Sequence, residues 1–176
     1  MTSVRAYAGG LKDIKIKIAN GQIYDLFAAV SAESEPQMDE IEIKGDDKLI
    51  GKFISNIRED VTVSANGVSF DFLQAISGNN FASSPGGVEI PLGTDEDASP
   101  PAFEMWVDSQ GRYDDNTNGT LRTIYHKCQV TSLKRSQAGE KEFNVEMEIT
   151  AYKTDKDITG ATLNPERVST LKIFTS

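Results

Sequence analysis

Apolar and polar residues trade places at every second position along most of this chain, and no other feature constrains its fold as tightly. In EKEFNVEMEI (140–149), Phe143, Val145, Met147 and Ile149 fall on one side of an extended backbone; Glu140, Glu142, Glu146 and Glu148 fall on the other. Side chains of a strand alternate between its two faces, so the pattern predicts a half-buried strand with a core side and a carboxylate side. LKDIKIKIA (11–19) repeats the period with Ile14, Ile16 and Ile18 against Lys15 and Lys17, and ends at Asn20-Gly21, a hairpin-turn pair. MDEIEIKG (38–45) sets Ile41 and Ile43 against Glu40, Glu42 and Lys44, and KFISNIREDVTVSANG extends through Val61 and Val63. PAFEMWVDSQG divides Phe103, Met105 and Val107 from Glu104, Trp106 and Asp108. TLRTIYHKCQVTSLKR (120–135) and EKEFNVEMEITAYK (140–153) read as two longer strands joined through SQAG in a hairpin, and VSTLKIFTS as a last strand.

Several stretches depart from this period. GVSFDFLQAISGNN (67–80) spaces Phe72, Leu73 and Ile76 for a helix, with Ser69 as its N-cap, Asp71 in its first turn and Gly78 beyond its end. SAESEPQ (31–37), acidic and carrying a proline, reads as a loop. Residues 80–101 are rich in Gly, Pro, Ser and acids, with one short strand at 88–92. Many strands and one helix of about two turns predict an all-β fold, an antiparallel β-sandwich or barrel. One domain is expected over 1–176, with an N-terminal arm (1–10), an extended loop (44–51), a short helix (69–77) and a C-terminal loop and strand (156–176).

With 176 residues, 38% hydrophobic and 26% charged, the chain is long enough for a real core and has a globular composition. It has no run near the roughly 20 apolar residues of a spanning helix. MTSVRAYAGGLKD lacks the apolar centre of a signal peptide, so the protein is expected to stay in the compartment where it is made. A single cysteine leaves no intrachain disulfide framework. The formal net charge of −9 is the wrong sign for gripping phosphates, so nucleic acid meets this protein as something repelled.

The chemistry-bearing residues are sparse. His126 and Cys128, the only residues of their types, lie two apart and are expected on one face with Ile124 and Val130. Two ligands make an incomplete zinc site, and adjacency on one strand is poor geometry for a Cys–His nucleophile. DDNTNG (114–119) matches the first half of a calcium loop through Asp114, Asn116, Asn118 and Gly119, but Tyr125 stands where the bidentate glutamate belongs. Asp46-Asp47 and DED (95–97) are acidic pairs with nothing to set their spacing. No nucleophile elbow, phosphate loop or dinucleotide fingerprint occurs, so no enzyme, cofactor or metal is expected.

Taken in order, EIEIKGDDKLIGKF, SFDFLQAISG, DASPPAFEMWVDSQG, LRTIYHKCQVTSLKR and the EFNVEMEITAY strand resemble the major tail protein (tail tube protein) family of long-tailed bacteriophages, over residues 10–155. The resemblance implies a virion protein made in the host cytoplasm, whose hexameric rings stack into a tube through which the genome leaves the capsid. It implies strands contributed to a shared tube barrel, with the tape measure, tail terminator and distal tail proteins as further partners. DNA would pass through the lumen without specific binding, and no membrane is involved. Glu146, Glu148, Glu40 and Glu42 become candidates for the lumen wall; Tyr7, Asp46, Asp47, Leu49 and Ile50 become candidates for contacts between rings. Edge strands at 38–45 and 51–63 would pair across the subunit boundary beside 120–133 and 140–152. The family often adds a surface domain; this chain stops after one further strand, so none is expected. A second reading is a monomeric carbohydrate-binding or adhesive β-sandwich in which Trp106 and Tyr113 form a sugar platform.

Overall fold

A computed structural model describes residues 6–26, 28–45, 48–77, 82–84, 87–89, 100–113, 118–136 and 144–175. Its elements are β1 (Ala6–Ile18), β2 (Ile23–Asp25), β3 (Ala29–Gly45), β4 (Lys48–Ala65), α1 (Phe70–Ser77), β5 (Ala82–Ser84), β6 (Gly87–Glu89), β7 (Phe103–Tyr113), β8 (Asn118–Ser136), β9 (Asn144–Tyr152), β10 (Thr154–Lys156), β11 (Thr162–Arg167) and β12 (Ser169–Thr175). Among these residues an eight-stranded antiparallel sheet runs β2-β1-β7-β8-β9-β4-β3, with β12 also paired to β8; β5–β6 and β10–β11 are small two-stranded sheets. The fold is all-β with one short helix, as the period-two pattern predicts.

The sheet curls until β1 approaches β3, and α1 packs against β2 and β8. One core fills the space: Ile14 and Ile16, Val61 and Val63, Phe103 and Met105, Cys128, and Val145, Met147 and Ile149, with Phe72, Leu73 and Ile76 from the helix. The helix begins where the sequence places it, with the Phe72 amide donating to Ser69 Oγ at 3.2 Å. Eight residues are too few to hold a helix alone, so this cap and the buried face sustain it together. Ser69→Ala is expected to lower unfolding free energy by about 1 kcal/mol, read as a shifted denaturant midpoint at unchanged slope. The Asn20-Gly21 turn is also as expected: Gly21 sits at φ 87°, a region where a side chain is strained, and its amide donates to the Ile18 carbonyl.

Several boundaries differ from the sequence expectation. Residues 6–10, expected as an arm, lengthen β1, with Ala6 opposite Tyr113 and Tyr7 opposite Arg112. Of the expected loop at 44–51, residues 44–45 and 48–51 belong to the β3–β4 pair, in which Lys44 is opposite Leu49 and Gly45 opposite Lys48. SAESEPQ, expected as a loop, lies within β3, where Pro36 stands opposite Glu59. Proline lacks only a donor, and β3 is an edge strand whose outer side pairs with no other described strand. The C-terminal region 156–176 holds β11 and β12 rather than one strand. Residues 58–63, expected to pair across a subunit boundary, pair with β9 of the same chain.

Candidate functional surface

The face of the sheet turned away from the core is built in rows. Register aligns Glu33, Thr62, Glu148 and Ser132 across β3, β4, β9 and β8, and beside them Ser31, Ser64, Glu146 and Lys134. The next row is Glu35, Asp60, Thr150 and Gln129. Residues paired across strands share a face, so five carboxylates and a set of hydroxyls form one polar surface. Along β9 the parity is as read from sequence: Val145, Met147 and Ile149 are buried, while Glu146 and Glu148 are partly exposed.

Two of the carboxylates share one cation. Lys134 Nζ reaches Glu146 Oε1 at 3.1 Å and Glu148 Oε1 at 2.5 Å. The hydrogen bonds that Lys134 donates to Glu148 and then to Glu146 raise its pKa above the ordinary value. Thr150 Oγ1 donates to Asp60 Oδ1 at 3.0 Å. At the border, Arg58 Nη1 lies 3.8 Å from Asp39 Oδ2. The surface therefore keeps a net negative sign, with Glu146 and Glu148 bridged by Lys134.

Farther along the same face, β7 and β8 carry a second, buried polar set. Trp106 Nε1 donates to Glu104 Oε1 at 2.8 Å, and His126 Nδ1 lies 3.3 Å from Glu104 Oε2. A carboxylate only accepts, so Nδ1 bears the proton; Nε2 then meets Thr170 Oγ1 of β12 at 2.8 Å. Arg122 grips Asp108 with both carboxylate oxygens, at 2.7 and 2.8 Å, while its guanidinium lies over the Trp106 ring. One face of Trp106 is thus covered by Arg122.

His126 and Cys128 do not share a face. A register shift between Phe103 and Met105 puts an extra residue into β8, with Phe103 opposite Cys128 but Met105 opposite Tyr125. A bulge reverses parity, so Cys128 enters the core while His126 turns to Glu104. Burial pushes the Cys128 thiol far above its ordinary pKa, which leaves it a poor nucleophile. Burial likewise raises Tyr125 to about 12, so its phenol stays protonated and donates to Glu59 Oε1 at 3.4 Å.

Neither the family models nor the curated proteins compared with this chain match it.

The candidates named from sequence are scattered by this geometry. Glu146 and Glu148 sit together under Lys134. Glu40 and Glu42 lie in the outer part of the hairpin, opposite Ile54 and Lys52, beyond the last β9 partner at Arg58. Leu49 and Ile50 open β4 at the hairpin end, and Tyr7 belongs to β1. Asp46, Asp47, residues 95–97 and most of the DDNTNG loop (114–117) lie outside the described residues. Among the described residues no group of three or more His, Cys, Asp or Glu side chains could hold a metal ion. Glu33, Glu35 and Asp60 were missed as members of the polar face. Their signal was present, since Ala32 and Ser34 alternate with Glu33 and Glu35, but Pro36 hid the strand.

Proposed function

We propose that this chain is the repeating subunit of a self-assembling tube, the tail tube of a long-tailed bacteriophage, with hexameric rings stacked around an acidic lumen. In this reading the protein is a structural part of the virion and no enzyme, and it meets tape measure, terminator and distal tail proteins along or at the ends of the tube. The observation that carries the reading is the outer half of the β3–β4 hairpin. From Asp39 paired with Ser55 to Gly45 paired with Lys48, its two strands pair with each other and, among the described residues, with no other strand. A two-stranded ribbon is marginal by itself in water, and its unpaired edges invite another chain. A second copy is the simplest partner, and repetition of one contact generates a ring or filament.

The polar face supports the same reading. Hydroxyls and carboxylates, two of the latter bridged by one lysine, make a surface that is hydrated, negative and repellent to phosphate. Glu146 and Glu148 are the lumen residues that we propose, with Glu33, Glu35 and Asp60 beside them. A monomeric sugar-binding module would need neither the open ribbon nor such a face, and Trp106 has one side already occupied by Arg122.

The test is assembly. The concentrated chain is expected to form rings or tubes visible by negative-stain electron microscopy. A variant with residues 41–53 replaced by Asn-Gly, which closes the hairpin after Glu40 and Ile54, should remain folded and monomeric. A full-length chain that stays monomeric at every concentration would end the proposal, as would undiminished tube formation by the shortened variant.

A further inference from the structure

We infer that β12 is a detachable C-terminal strap whose register is set by a polar catch at Ser169 and Thr170 rather than by hydrophobic burial. The inference concerns the subunit alone and does not depend on the tube reading. β12 pairs with β8 along one edge, from Ser169 opposite Tyr125 to Thr175 opposite Gly119, and with no other described strand. It lies on the same edge of β8 that β9 occupies farther along, so the sheet divides there.

Burial does little to hold it. Leu171 is 62% exposed, Ile173 47% and Phe174 45%, in a strand where apolar residues stand on both faces. Register in a strand is normally specified by an apolar face that must be buried. Here that constraint is weak.

The root of the strap is held instead from both faces of the sheet. On the core side, Ser169 Oγ donates to Glu59 Oε2 at 3.3 Å, and Tyr125 holds the other carboxylate oxygen. On the opposite side, Thr170 Oγ1 meets His126 Nε2 at 2.8 Å, and His126 is oriented by Glu104. Arg167 Nη1 also reaches Thr170 Oγ1, at 3.4 Å, and the His126 amide donates to the Val168 carbonyl. Strands β4 and β8 thus meet two adjacent hydroxyls, and β7 acts on them through His126. A slip of two residues would keep the faces but set Leu171 beside Glu59 and Lys172 beside His126, leaving Glu59 short of a donor. Partly buried polar groups of this kind discriminate between registers because an unmatched partner is costly.

Amide hydrogen exchange on the intact chain tests this. In Ser169→Ala/Thr170→Val, peptides covering 170–175 are expected to exchange about tenfold faster or more, while β4 and β9 keep their protection. Thr170→Ser, which retains the hydroxyl, should leave the strap protected. Unchanged protection of 170–175 in the double variant would overturn the catch. Equal loss of protection across the whole sheet would overturn the strap, because β12 would then be part of the cooperative core.

Discussion

Replacing Phe72 by alanine is expected to remove about 3–5 kcal/mol of stability. Phe72 is 1% exposed and comes from the only described helix, which packs between β2 and β8 over the core. Truncation loses the transfer of the ring and leaves a cavity that a curled, hydrogen-bonded sheet cannot close. The helix also loses its main anchor, and eight residues do not stay helical unaided. Against a typical domain stability of roughly 5–15 kcal/mol, the loss is a large share. The midpoint in urea should fall by about 1–2 M. A drop below about 1 kcal/mol would mean that the helix is not the lid of this core.

The second expected result concerns charge. Glu146→Lys with Glu148→Lys changes each subunit by about four formal charges and places both new ammonium groups beside Lys134. Folding should survive, because Val145, Met147 and Ile149 supply the burial from the other face and exposed ion pairs contribute little. Unfolding free energy is expected to change by no more than about 1 kcal/mol. Affinity for DNA should change qualitatively. The native chain should pass DNA without retention at low salt, whereas the variant should bind and be released as salt rises and screens the contact. If the proposed tube forms, genome ejection from assembled particles should slow, with partial relief by salt. If Glu146 and Glu148 faced the outside of the tube, DNA affinity could rise without any ejection defect, and the lumen assignment would fall while assembly stood.

The two results separate the two faces of one sheet, and they show how far the sequence could be read. The alternation of β9 was legible because Val145, Met147 and Ile149 face a core that accepts only apolar groups, so parity and burial carry the same information. The helix was legible for a local reason as well, since Ser69 caps its own chain within three residues. Glu33 and Glu35 were not, because a proline on an edge strand looks the same in sequence as a proline in a loop.

What the sequence by itself determined is the class of the fold, the parity of its regular strands, the Asn20-Gly21 hairpin and the capped helix. Each rests on periodicity or on bonds between neighbours a few residues apart. Only the tertiary structure decided which strands lie side by side, because pairing joins residues as distant as Glu33 and Thr62 or Thr123 and Leu171. It decided that Lys134 bridges Glu146 and Glu148, since that contact depends on the register of a hairpin whose loop carries no single turn signature. It also decided that His126 and Cys128 part company. A bulge opposite Glu104 reverses the strand's parity, and parity is the one assumption on which reading a strand from sequence depends.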